Sequence, residues 1–325
     1  MKSMRRCAVR TLLAICLVSS CGGKFDKPLE LGKIISMGEY KYQPFAGFEN
    51  STTLSITGGS LYVAYAASAE VRAYFSGGKL VPPNLVRSFT GLHKPTVVGA
   101  GLRRIAVLDE FEGLTVKVYG LSGGSPISSF TDPGWVTVSA LAVDDSGNIY
   151  VADAARNFVR AYKPDGRPRF QVDLADSGFG IGHVMAPTGL GLDGETLLIS
   201  EAHAEKMQVQ RIRIDRPQTG IPFSATNPYL ATFTDDEGNE MVFVRPVGVA
   251  AGTDGSVFVL DEGLGRVFQF DAQGNSIAVV NSEASGGPQD LRDAVSIDTY
   301  NPPGARASIY VLDPVRGLVH RWEPK

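Results

Sequence analysis

The chain has 325 residues, 43% hydrophobic and 20% charged, with a formal net charge of −3. This is a globular balance with enough apolar material for a sizeable core, and the lack of a basic excess argues against broad nucleic-acid binding. Length alone suggests about two domains of roughly 150 residues, although closed all-β folds run longer as one.

The first element is not part of a fold. Lys2, Arg5, Arg6 and Arg10 flank an apolar run from Thr11 to Val18, followed by Ser19-Ser20-Cys21-Gly22. A basic start, a short apolar run and small residues predict a secretory signal over residues 1–20. The run is well short of the roughly 20 residues that span a bilayer. Leu17-Val18-Ser19-Ser20-Cys21 resembles the bacterial lipobox, which implies a lipid on Cys21 and a tether over residues 21–31. All three cysteines (Cys7, Cys16, Cys21) lie in this region, so the exported domain is expected to hold together without disulfides. Cleavage removes four of 31 cations and leaves 27 against 34 anions, a net of −7. By resemblance to enterobacterial sorting rules, Gly22 implies the outer membrane, facing the periplasm.

From residue 32 onward the chain repeats. Short apolar strands are centred on residues 62, 106, 150, 198, 258 and 310, at intervals of 44, 44, 48, 60 and 52. Three residues after each centre stand Tyr65, Asp109, Asp153, Glu201, Asp261 and Asp313. A further strand follows each time, with Val three residues before a large apolar residue, as in Val116/Tyr119, Val159/Tyr162 and Val319/Trp322. Turns such as Asp145-Ser-Gly-Asn148 and Asp165-Gly166 separate the strands. One more strand precedes and one follows each pair, for example Ala140–Val143 and Arg169–Val172. Four strands per repeat, six times over, predict an all-β fold: a six-bladed β-propeller of four-stranded blades over residues 32–325. The last repeat lacks its outer strand, and Lys33–Met37 has no partner, so an N-terminal strand is expected to complete the last blade and close the ring.

Two stretches carry a specific likeness. Ala140-Leu-Ala-Val-Asp-Asp-Ser-Gly-Asn-Ile-Tyr-Val-Ala-Asp153, with Arg156 to Gly166, resembles an NHL repeat, and Val247 to Asp261 is similar. The other repeats match more loosely. The resemblance implies the same six-bladed propeller. Propeller lyases that resemble this family use a histidine zinc set, and related lactonases use axial carboxylate and Asn ligands for calcium.

Neither metal set is located in the sequence. His93, His183 and His203 fall on the predicted loop face, but His93 and His203 belong to blades separated around the ring, and His320 falls in a strand. No nucleophile motif, phosphate loop or mature thiol beyond the lipidated one is present, so no catalytic residue, metal or cofactor is assigned. The recurring acids Asp109, Asp153, Glu201, Asp261 and Asp313 are expected to hold turns by accepting backbone N–H bonds, because a catalytic site breaks a repeat and these residues obey it.

The departures from the repeat point to function instead. The extra residues of the last three intervals fall in blade-to-blade loops around His183, Met241 and Pro288, all expected on one face. Lys94, Trp135, Met185, Arg245 and Arg292 precede inner strands and are expected to ring the channel mouth, with Trp135, His183, Met185, Arg245 and Arg292 as ligand-binding candidates. The expectation is an exported, lipid-anchored propeller that binds an envelope protein, a peptide or a small anionic ligand. A metal-dependent hydrolase or lyase and a structural envelope scaffold are the alternatives.

Overall fold

The second strand of every repeat is apolar at almost every position, and burial on both faces is the reason. In a computed structural model, which describes residues 40–77, 88–174, 183–214, 225–230, 232–234, 240–252, 254–281, 288, 290–302 and 304–324, these strands are sandwiched between neighbouring blades. None of the described residues is helical, and all belong to one compact unit, Lys33–Lys325.

Two short N-terminal strands come first, β1 (Tyr40–Tyr42) and β2 (Phe45–Ala46). Blade one shows β3 (Thr53–Thr57), β4 (Ser60–Tyr65) and β5 (Glu70–Phe75) among the described residues. Blade two is β6 (Pro95–Ala100), β7 (Ile105–Asp109), β8 (Thr115–Tyr119) and β9 (Ser128–Phe130). Blade three is β10 (Val138–Val143), β11 (Ile149–Asp153), β12 (Phe158–Tyr162) and β13 (Pro168–Leu174). Blade four is β14 (Pro187–Asp193), β15 (Thr196–His203), β16 (Lys206–Arg213) and β17 (Ala225–Leu230). A separate hairpin, β18 (Thr232–Thr234) with β19 (Glu240–Val242), precedes blade five. Blade five is β20 (Pro246–Ala251), β21 (Val257–Asp261), β22 (Arg266–Phe270) and β23 (Ser276–Val279). Blade six is β24 (Ser296–Tyr300), β25 (Ser308–Asp313) and β26 (Leu318–Pro324), completed by β1 and β2.

The molecule is thus a six-bladed β-propeller closed by an N-terminal strand. That strand is Tyr40–Tyr42, paired antiparallel with β26 from Tyr40↔Pro324 to Tyr42↔Trp322. Lys33–Met37, expected in this place, lies outside the described residues. Tyr42 seals the joint: its hydroxyl is 2.8 Å from His320 Nδ1 and its ring packs 5.4 Å from Trp322.

Clusters of buried apolar side chains each bridge two blades. One joins Val97, Leu108 and Val118 to Trp135, Leu141 and Phe158; another joins Phe258 and Leu260 to Ile309, Val311 and Trp322. A blade alone would expose both faces, so neighbours stabilise each other. Glycines let the inner strands converge. A Cβ on Gly99 would sit 2.7 Å from the Leu141 carbonyl oxygen, and one on Gly248 2.7 Å from Ile297 Cγ2.

The inner strands β3, β6, β10, β14, β20 and β24 form the ring around the axis. Contacts between neighbours advance together. Thr53 Oγ1 meets Val98 N and Ser55 Oγ meets Ala100 N, while Leu54 N meets Ser296 Oγ and Ile56 N meets Asp298 Oδ2. Adjacent inner strands therefore run the same way. All begin on one face, and the blade-to-blade loops rise there together with the turns between second and third strands.

Candidate functional site

The loop face is built on the recurring acids. Asp109 accepts the backbone N–H groups of His93 (3.0 Å) and Lys94 (2.7 Å). Asp153 accepts those of Val136 (2.6 Å), Thr137 (3.1 Å) and Arg156 (3.0 Å). Asp261 accepts those of Val244 (2.8 Å), Arg245 (3.0 Å) and Leu264 (2.9 Å). Glu201 takes Met185 N–H at 2.6 Å, and Asp313 takes Arg316 N–H at 2.9 Å. Each carboxylate in blades two to five thus grips the loop entering its own blade, and with it the backbone of a rim residue. Asp313 grips only the following turn.

Third-strand side chains reach the same carboxylates. Lys117 Nζ lies 2.5 Å from Asp109, Gln210 Nε2 2.7 Å from Glu201, and His320 Nε2 3.5 Å from Asp313. Burial pushes the Asp109 carboxyl up, but the Lys117 ammonium and the two N–H bonds outweigh it and hold the group below the usual carboxylate range. Asp313 is held low in the same way, by Arg316 and His320 against burial. Sequence reasoning missed these partners. The signal was present in the residue after each repeated Val: Arg72, Lys117, Arg160, Gln210 and His320, with Phe268 the exception.

The rim candidates do not form one cationic cluster. Lys94 pairs with Glu110 (3.2 Å), Arg245 with Glu262 (3.1 Å) and Arg292 with Asp290 (3.6 Å), so each cation is offset by its own neighbour. Trp135 does not stand at the mouth; it is buried against Phe130 and Tyr162 within the core between blades two and three. Met185 and His183 are half-buried, and the His183 carbonyl accepts Lys206 Nζ and Gln210 Nε2. The Met241 side chain and most of the loop before Pro288 lie outside the described residues.

Apolar side chains are what this face exposes. Nine large hydrophobic residues are exposed among those described: Phe75, Leu102, Phe111, Ile127, Val136, Val242, Val244, Val295 and Val315. Five of them (Phe111, Val136, Val244, Val295, Val315) sit in the loops of this one face, and a sixth, Val242, ends the hairpin in the connection between blades four and five. Phe111 is backed by His93, whose ring stacks on it at 4.7 Å.

The axis is lined with hydroxyls. Ser139 Oγ donates to the Pro187 carbonyl (2.6 Å), Thr188 Oγ1 to the Pro246 carbonyl (2.7 Å), and Ser296 Oγ to the Leu54 carbonyl (3.3 Å). These bonds stitch neighbouring inner strands. Ser139 and Thr188 occupy bulges that recur where the first and second strands of a blade meet. The girdle is broken at Val247, which has no hydroxyl, and at Thr96, whose buried hydroxyl has no hydrogen-bond partner. His93, His183 and His203 share no metal-capable group, and no set of three or more His, Cys, Asp or Glu is so placed among the described residues.

No family model matches the sequence, and no curated protein does either. Several solved structures are similar. One is a chain in a nidogen/laminin complex, with 17% identity over 73% of this chain and 82% of that chain, at a TM-score of 0.50. Another is a Bacteroides thetaiotaomicron protein of unknown function, with 14% identity over 88% and 77%, at 0.58. A third is a gluconolactonase from Xanthomonas campestris, with 12% identity over 88% and 90%, at 0.54. The relationship is one of fold. Propellers with a partner protein and propellers with an enzyme activity both lie within it, so function has to be argued from the site.

Proposed function

We propose that this chain is a partner-binding propeller of NHL type, exported and held at the bacterial cell envelope by a lipid on Cys21. It grips a protein or peptide with the face that carries the blade-to-blade loops. One observation carries the reading: five of the nine exposed large apolar side chains lie on that face, set among ion pairs that are already neutralised. Apolar side chains on a rigid frame, rimmed by satisfied charge, suit the uncharged core of a protein interface. The pairing of Arg245 and Arg292 disfavours a small anion as the main ligand.

The test uses cross-linking and capture from the envelope with matched variants. Phe111→Glu and Val315→Glu should abolish capture of a defined partner, while Leu102→Glu on the opposite face should not. Equal capture by all three would move the contact to the outer rim and favour a structural scaffold. Cys21→Ala should release the protein from membranes; retention in the pellet would remove the lipid anchor from the proposal.

A further inference from the structure

The inner strands line an axial cavity of about 70 Å³ that is partly open to solvent. One water needs roughly 10–15 Å³ of such space, so the cavity has room for a hydrated ion. Asp298, on β24, is the only ionisable residue that lines it among the described residues. The groups that reach its carboxylate are neutral: Ser55 Oγ at 2.9 Å, Ile56 N at 2.8 Å and Thr299 N at 2.7 Å. Ser296 lies two residues earlier on the same strand, hence on the same side, and Thr53, Ser139 and Thr188 add further oxygens to the wall. Asp298 is half-buried, and its three neutral donors leave its negative charge without a counter-charge in the described cavity wall. The cavity thus offers oxygen ligands and one negative charge, with no positive charge supplied by the described wall.

We propose that the axial channel binds one monovalent inorganic cation beside Asp298. A single carboxylate matches a single charge, whereas calcium sites assemble six to eight oxygens and tune affinity by ligand charge. The wall hydroxyls are partly committed to bonds between blades, so water completes the coordination. Asp298 already joins β24 to β3 through Ser55 and Ile56. The ion therefore sits where the last blade meets the first, and its binding stabilises the closed ring.

The experiment measures thermal unfolding of the full-length protein in detergent at pH 7.5. Sodium, potassium and rubidium chloride are compared with tetramethylammonium chloride at equal ionic strength. A fitting cation should raise the melting temperature saturably, by about 2 °C at ten times its dissociation constant. Asp298→Asn should remove the difference between salts. Crystals soaked in rubidium chloride should show an anomalous peak beside Asp298, which decides the matter alone if the variant does not fold. Identical melting in every salt, a difference that survives in Asp298→Asn, or no rubidium peak there would each overturn the proposal. Saturation by calcium at far lower concentration would overturn the monovalent assignment.

Discussion

Asp153 and Asp261 each hold three backbone N–H groups, so their removal leaves buried donors without partners. Asp153→Ala and Asp261→Ala should each lose about 1–3 kcal/mol of stability, read from denaturant midpoints, with Asn at either site recovering part of it. Asp298 behaves oppositely to the turn acids. Burial pushes its carboxyl up to about 6 despite the bonds from Ile56, Thr299 and Ser55. The folded state then takes the proton more readily than the unfolded one. Stability from this group is full below about pH 4 and is lost as pH rises through about 6. His320, held low by burial, has the reverse effect, losing stability as pH falls below its ordinary value. Asp109 and Asp313, held low, act only below about pH 4. The difference between wild type and Asp298→Asn isolates the one group. In tetramethylammonium buffer the variant should gain on wild type between pH 4.5 and 7, by at most about 3 kcal/mol. At this scale the sequence shows the acids plainly because they recur. It hides Asp298 because no other blade carries a carboxylate at that place.

Closure is decided by one short strand. β1 covers β26, and Tyr42 contributes both a ring against Trp322 and a hydroxyl to His320. A chain that starts after Tyr42 exposes the edge of β26 and the buried Trp322 beside it. It should melt lower and aggregate at concentrations where the longer chain stays monomeric, as followed by light scattering during a thermal ramp. Equal melting of two monomeric chains would contradict this role for β1. Sequence logic required a closing strand, because the last repeat was one strand short. It placed that strand at Lys33–Met37, an apolar stretch ahead of the first blade that has no partner in the repeat. Register across the joint depends on one ring, Tyr42, meeting both Trp322 and His320, and such a long-range match leaves no local pattern. The hairpin of β18 and β19 escaped notice for a related reason: its strands have only three residues each.

At the scale of the whole molecule, the repeat fixes which face can vary. Loops between blades anchor a few side chains in the core, such as Trp135, Val184 and Leu291, and the chain lengthens between these anchors. The exposed apolar residues follow the same division, so Phe111→Glu and Val315→Glu should each weaken partner binding at least tenfold with little change in melting. Leu102→Glu is the matched control across the disc. Which loops share a face was legible in the sequence from the strand order of the repeat. The chemistry on it was not: Trp135 reads as a rim aromatic but packs into the core, and Arg245 and Arg292 read as a cluster but find partners at Glu262 and Asp290. Side-chain pairing at the end of a loop depends on the turn beside it, and that turn belongs to a different part of the repeat.

The strand that completes the last blade is also the first of the described strands. Tension applied to Tyr40 from its N-terminal side would act on three residues held by their pairing with β26 and by the contact of Tyr42 with Trp322. It would therefore be felt first at the seam of blade six, where β1 is the outermost strand.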